Sequence, residues 1–521
     1  MRISTGQINQ QGIDSILESQ TKFAKTQLQL SSGKRLTSPA DDPSGASQLL
    51  VLDQTLSKTE QFQRNADTAK TRLNLEETTL VGVQTVLDRV RELAIQGTNA
   101  SQNDQTRDSI ALEIRQLLDE LVDLANTRDS TNRFLFAGYQ EQTQPFSVNS
   151  NGDVVYNGDD GVRAIQISDN RQIPSSDSGT DVFMAIPGGN GTFSVFDNTA
   201  NRGSGVIDPG SVVNPSAYDG DTYSIVFPAT TAATGTLTFG DQAPTDDTLQ
   251  YSLSINGTTV YSVDETGTPA ATLDELAAQI NDDVGTTGVR AYVAGGTLYL
   301  ANTNPGASTI TVAEQITGGT AGEGDTITGY FGGVLAFDGT ATNTLTFDDD
   351  SIDSYMVVDS QNNVETTGLY TDGARIEFAG IETNIAGDPA LSDRYTVTPA
   401  GNSDIFSTIK DLADALESGA AVNPADRAQL SNAVNRAITG IDRAQDNMDN
   451  VRSRVGARLS ALDSQQSLND DFSLVVKETK SRIEDLDFVE AIGRLNLQQI
   501  SLQAAQQAYL RLQGLSLFDL L

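Results

Sequence analysis

Apolar residues recur with helical spacing at both ends of this chain and with strand-like alternation in its middle. In residues 110–124, Ile110, Ile114, Leu117, Leu121 and Leu124 step by four and three. Nearer the other end Val434, Ile441, Met448, Val455 and Leu462 fall seven apart, and Leu430, Ala437, Ala444 and Val451 supply a second seam position. Seams of this kind bury one narrow stripe against other helices. Val83, Val86, Val90 and Leu93 mark a further stripe, on a helix predicted from about Ser44 to Gly97. At 1.5 Å per residue that helix is roughly 80 Å long, more than one globular core can cover. The amino- and carboxyl-terminal zones are therefore predicted to pack along one another. Between 141 and 400 the composition shifts to Gly, Thr, Asp and Asn with short runs such as TYSIVF, TLTF and TLYLAN, the pattern of strands joined by turns. The expected fold class is α+β: an elongated, coiled-coil-like helical rod built from paired terminal segments, with inserted β-rich outer domains.

The stretch LSSGKRLTSPADDPSGAS, residues 30–47, ends one amphipathic run and starts another. Gly33 suits the left-handed position after a helix end, and Lys34 and Arg35 are expected near the carbonyls of the helix they follow. Ser38, Pro39 and Asp41 offer one helix start, and Asp42 with Pro43 offers another one turn later. Asp487 and Glu490 have capping-box spacing and predict a last helix after a break near Glu484.

Composition narrows the chemistry. The 521 residues contain no cysteine and no histidine, which excludes disulfides, Ser-His-Asp and Cys-His catalysis and HExxH zinc sites. No cofactor, catalytic residue or metal ligand is therefore assigned. The net charge of −37 is uneven, because residues 141–400 hold 35 acidic side chains against six arginines and no lysine. So acidic a middle repels nucleic acid and anionic membrane, and reads as a solvated surface. The cluster FDDDSIDS, residues 347–354, lacks EF-hand spacing, which leaves calcium binding as a secondary reading. No apolar run reaches a membrane span, and MRISTGQINQQGIDS lacks the profile of a cleaved signal peptide, so any export is expected to use another signal.

Taken whole, LSSGKRL with its following DD pair resembles the amino-terminal motif of the flagellin superfamily. The opening MRIST, Pro43 after the acid pair and the closing LSLFDLL are similar to its junction-type members more than to its filament members. The resemblance recurs at NRFLFAGYQEQTQPF, residues 132–146, and at SRIEDLDFVEAIGRLNLQQISLQAAQQAYLRLQG near the end. Residues 247–313 look like a flagellin-type insertion module, with a strand pair, a short helix LDELAAQIND and further strands.

The resemblance implies terminal helices at residues 1–40 and 484–521, disordered until assembly, and a helical rod at 41–140 and 401–483. A β-rich outer domain is implied at 141–221 and 314–400, with the insertion module at 222–313. It implies a non-enzymatic structural role in the flagellum, outside the cell, with contacts to copies of itself, to the first hook-associated protein, to flagellin, and to the flagellar export apparatus and an export chaperone. A filament flagellin is the alternative. The expected assembly positions are Ile13, Leu17, Leu28, Ile492, Leu495, Leu502, Leu512, Leu515, Leu517, Phe518, Leu520 and Leu521, which lie on short segments without a core of their own. The family turn is expected to rest on Ser32, Gly33, Arg35, Asp41, Asp42 and Pro43.

Overall fold

The computed structural model describes residues 5–99, 101–231, 233, 236–240, 249–265, 267, 269–270, 272–318, 326–332, 334–336, 341–349, 352–418 and 423–518. Its helices are α1 (Thr5–Ser32), α2 (Pro43–Gly97), α3 (Asp104–Ala125), α4 (Leu273–Asp282), α5 (Val284–Thr287), α6 (Ile405–Glu417), α7 (Pro424–Glu484) and α8 (Phe488–Phe518). With strands between them, this is the α+β arrangement of helical ends around a β-rich middle. Two compact units can be described: Met1–Asn74 with Arg163–Ser175 and Val455–Leu521, and Leu75–Val162 with Ser176–Arg454.

In the first unit α1 and α8 run antiparallel, with Gly33 against the Phe488 ring and Gly12 against the Tyr509 ring. The amino-terminal part of α2 lies antiparallel to the carboxyl-terminal part of α7. Asp53 pairs with Lys480, Asp67 accepts from Gln466, and Lys70 meets Asp463, so each step forward on α2 is matched by an equal step back on α7. Phe62, Ala66, Ala69, Leu73, Val455 and Leu462 are buried in this unit. A hairpin of Ala164–Ser168 and Arg171–Pro174 buries Ile167 and Ile173. Asn65 Nδ2 donates to the Gln166 carbonyl at 2.8 Å, and Asn469 Nδ2 to the Ile167 carbonyl at 3.2 Å.

The second unit contains the rest of α2 and α7 together with α3 and α6. The predicted seam is present: Val434, Ile441, Met448, Val83 and Val90 are all fully buried. Arg452 bonds Glu77 and Gln84, Gln445 bonds Asp88, and Arg91 bonds Asp442, again in antiparallel register. Arg115 of α3 grips Glu417 through Nε and Nη2 and Asp414 through Nη2, fixing α3 on α6. Asn103 and Thr106 form a capping box that starts α3, and Asp404 caps α6 by accepting from the Ser407 amide. Helices approach closely where a side chain is absent: a Cβ on Gly440 would lie 2.8 Å from Thr408 Cγ2. The NRFLFAGY motif ends this helical section, with Phe134, Leu135, Phe136 and Ala137 buried. Phe136 and Phe146 each meet Phe183 edge-on, and Phe406 of α6 closes the cluster.

Two β lobes complete the second unit. One is a five-stranded antiparallel sheet in the order Val364–Leu369, Ser354–Val358, Tyr223–Val226, Arg394–Pro399, Phe193–Asp197. Its core of Phe193, Ile225, Val357, Tyr395 and Val397 packs against Ile376, Phe378, Ile381 and Ile385. The other lobe has a sheet of Thr258–Asp264, Gln250–Ile255, Ile310–Thr317 and Ala341–Phe347, beside a sheet of Ala229–Thr231, Thr297–Asn302 and Val289–Ala294. The residues LDELAAQIND form α4, as their pattern predicts, with Leu276 and Ile280 in the lobe's core.

Pairing draws two lines that composition does not. The hairpin of 164–174, which the resemblance implied for the outer domain, belongs to the first unit with the helical ends. The strand Tyr223–Val226 joins the outer sheet and Ala341–Phe347 joins the other lobe, so the strands of that lobe span 229–347 rather than 222–313. Gly, Thr and Asp are spread evenly through this zone, and composition carries no record of which strands share hydrogen bonds.

Candidate assembly surface

The family turn is a clasp between two distant breaks in the helices. Gly33 takes φ +70°, the left-handed conformation that ends α1. The chain then runs alongside the break between α7 and α8: the Arg35 amide donates to the Glu484 carbonyl at 2.7 Å, and the Leu486 amide to the Gly33 carbonyl at 3.0 Å. Arg35 Nε and Nη2 both donate to the Ile483 carbonyl, at 3.1 and 2.7 Å. Lys34 pairs with Glu484. Arg35 thus meets a carboxyl-terminal carbonyl of α7, and Lys34 the Glu484 carboxylate at the same helix end, rather than the carbonyls of α1, which corrects the local expectation. The electrostatic logic is unchanged, because cations stabilise the negative end of a helix dipole, but the helix is another one.

The remaining turn residues hold α1 to the start of α2. Ser32 Oγ donates to the Gln29 carbonyl and accepts from the Lys34 amide. Asp41 accepts from the Thr37 hydroxyl and from the Thr37 and Ser38 amides, and pairs with Lys25 of α1 at 2.7 Å. The Lys25 ammonium and the Thr37 donors hold the Asp41 carboxyl down at about 2. Residues Ser38 to Asp41 form a turn and no helix starts at Ser38. The helix start lies one turn later, where Asp42 Oδ1 accepts from the Gly45 amide at 2.9 Å and Pro43 takes the first helical position. Asp487 caps α8 in the same way, accepting from the amides of Val489 and Glu490.

Beyond this clasp the paired helices bury little apolar surface. The most buried side chains of α1 are polar, Thr26 and Gln29, and among the described side chains of α8 only Ala491 is fully buried. Of the expected assembly positions, Ile13, Leu17, Leu28 and Ile492 are exposed, whereas Leu495 and Leu502 are half-buried. The helical backbone continues through Leu512, Leu515, Leu517 and Phe518, and Leu520 and Leu521 lie outside the described residues.

The structure adds exposed apolar residues that spacing alone had not singled out. On α8 they include Phe488, Val489 (85% exposed), Leu497 (69% exposed), Ile500 and Leu510. On α7 they are Leu468, Phe472, Leu474 and Val475. Leu468, Phe472 and Val475 keep a four-and-three spacing alongside the buried Asn469 and Val476, and that spacing was the available signal. Large exposed apolar patches are characteristic of interaction sites. Among the described residues, no group of three His, Cys, Asp or Glu side chains is arranged to hold a metal ion, and no helix is long and apolar enough to cross a membrane.

Comparison with known proteins agrees with this layout. Residues 3–141 match the bacterial flagellin N-terminal helical region, and residues 438–521 the bacterial flagellin C-terminal helical region. Flagellar hook-associated protein 3 of Escherichia coli K12 is 39% identical over 28% of this chain and 46% of its own length. The Salmonella typhimurium LT2 protein of the same name is 33% identical over 36% of this chain and 58% of its own. The matched region thus spans about half the length of these curated relatives. The crystal structure of Xanthomonas campestris FlgL covers 82% of this chain and 99% of its own, with 25% identity and a TM-score of 0.56. With flagellin-type helical regions at both ends, a clasp joining them and this set of relatives, the chain is similar to the flagellin superfamily at its two ends and to flagellar hook-associated protein 3 (FlgL) among that superfamily's members.

Proposed function

We propose that the protein is a structural adapter that joins the flagellar hook to the flagellin filament, and that it is not an enzyme. One axial face meets the first hook-associated protein, the other meets flagellin, and lateral contacts join copies of the chain into a ring. The subunit reaches the cell exterior through the flagellar export apparatus, accompanied by an export chaperone and without a cleaved signal. Residues 1–40 and 484–521 are ordered by assembly, and the assembly positions named above, with the exposed side chains of α7 and α8, form the contact surface.

The observation that carries this reading is that α1 and α8 are held by a clasp and a half-buried stripe while their apolar side chains face outward. Such helices gain their stabilisation only from neighbours, and a segment that orders on docking suits passage through a narrow channel. The test replaces Val489 and Leu497 with Asp. The subunit should melt within about 1 °C of wild type, since both side chains are already in water. Cells carrying the variant should shed flagellin into the medium. A destabilised subunit, or normal filaments on the mutant, would refute the proposal. Seeding with filament fragments separates the adapter from a filament flagellin, because a flagellin elongates indefinitely and an adapter stops.

A further inference from the structure

Four asparagines of this chain precede a glycine: Asn151, Asn157, Asn190 and Asn256. In such a pair the glycine amide nitrogen can attack the asparagine side-chain carbon, because no Cβ shields it. The attack needs a carboxamide free to turn onto the following peptide, and the fold holds three of the four away from it. Asn190 Oδ1 accepts from the Thr192 and Phe193 amides, while its Nδ2 donates to the Pro209 and Gly210 carbonyls. Asn256 Oδ1 accepts from the Thr311 amide at 3.0 Å, and its Nδ2 donates to the Thr287 carbonyl at 3.1 Å. Asn157 Nδ2 donates to Ser147 Oγ at 2.8 Å and to the Val155 carbonyl at 3.3 Å. The Tyr156 ring also crowds Gly158, where a Cβ would lie 2.5 Å from the phenol oxygen.

Asn151 differs from all three. It sits at the exposed tip of the hairpin formed by Phe146–Val148 and Val154–Tyr156, and its carboxamide bonds no described residue. Gly152 is exposed as well, at φ +81°, and its amide donates to the Asn149 carbonyl at 3.1 Å. That bond closes a tip carried on three strand pairs, and a hairpin so short opens locally at little cost.

We propose that Asn151 is a site of spontaneous deamidation that converts this hairpin tip to aspartate and isoaspartate. The Gly152 nitrogen bonds to Asn151 Cγ, the Cγ–Nδ2 bond breaks, and Nδ2 leaves as ammonia with the proton that the Gly152 nitrogen gives up. Water then opens the cyclic imide at either of its carbonyls, giving aspartate or isoaspartate. Either product adds a carboxylate two residues from Asp153, which faces Lys410 Nζ at 3.5 Å. The isoaspartate also places Cβ in the main chain. A turn longer by one carbon cannot keep the Gly152 amide on the Asn149 carbonyl while Asn149 Oδ1 accepts from the Asn151 and Asp153 amides. Nothing in this inference depends on the role in assembly.

The test is incubation of the full-length chain in mildly alkaline buffer, followed by peptide mapping by mass spectrometry and labelling with an isoaspartyl methyltransferase. Asn151 should convert at least about tenfold faster than each of the other three, the factor set by one or two hydrogen bonds that must break first. The same chain unfolded in guanidinium should convert Asn157, Asn190 and Asn256 much faster than the folded chain does, with Asn151 accelerated least. Asn151→Gln, whose longer side chain closes the ring far more slowly, should remove most of the methyltransferase label from the folded protein. Conversion of the folded chain at all four sites alike, an unconverted Asn151, or the same order of rates in guanidinium as in the folded chain would overturn the proposal.

Discussion

Replacing Arg35 by Ala should loosen α8 without unfolding the rest of the protein. Its guanidinium makes two hydrogen bonds to the Ile483 carbonyl, at 3.1 and 2.7 Å, at the negative end of α7. Hydrogen bonds from a charged donor contribute about 1.5–3 kcal/mol. The side chain is 43% exposed, so solvent screening brings the expected loss to about 1–2 kcal/mol. That raises the opening equilibrium of the clasp by roughly 5–30-fold. Native-state hydrogen exchange is the suitable assay, because the opening is local. Amides of residues 488–511 should exchange faster by that factor, while those around Ile441 stay protected. Arg35→Lys, which keeps the charge but loses the fork, should fall between the two. Lys34→Ala is the control, since the Lys34 side chain is 53% exposed and its pair with Glu484 contributes at most about 1 kcal/mol. Unchanged exchange in Arg35→Ala, or equal effects at Lys34 and Arg35, would refute the clasp.

Ile441→Ala removes a fully buried seam residue and should cost about 2–5 kcal/mol in denaturant unfolding, whereas Leu28→Ala, at an exposed site, should stay within about 0.5 kcal/mol. The Asp41 carboxyl is depressed to about 2 from an ordinary 3.8, so its stabilising contribution is complete above 3.8 and is lost as pH falls through about 2. Exchange protection of the turn in wild type should fall over that window, and Asp41→Asn should lack this component. Raising sodium chloride from 0.1 to 1 M shortens the Debye length from about 10 to about 3 Å and should raise the melting temperature of the β lobes, which lie within the zone 141–400 of 35 acids against six arginines, and equal melts would sink the electrostatic argument.

The helices were the most legible part of the chain. A seam at seven-residue spacing forces burial of one stripe, and Val434, Ile441 and Met448 are buried as spacing demands. Caps are equally local, which is why Asp42 and Asp487 could be read from their own neighbours. Arg35 shows where such reading stops. Its acceptor, Ile483, lies 448 positions away, and no rule of helix ends tells a basic residue to bond a helix other than the one it follows. The strands were legible as strands but not as sheets, because alternation predicts a face and not a partner. Hence Tyr223–Val226 and Ala341–Phe347 exchanged lobes relative to the bounds the resemblance implied, and the hairpin of 164–174 joined the helical ends.

The clasp also has a consequence for the order of events during folding. Joining residues 448 apart costs about 2–3 kcal/mol more loop-closure entropy than joining residues 20 apart. A chain emerging from a narrow channel with either end still inside cannot make this contact at all. Once α2 and α7 have zipped from Arg91–Asp442 to Glu77–Arg452, the loop to be closed shrinks to the two helical segments leading back to Arg35 and Ile483. The clasp is therefore the last latch to engage, and a pulse of hydrogen exchange during refolding should protect the Arg35 amide after those of the seam.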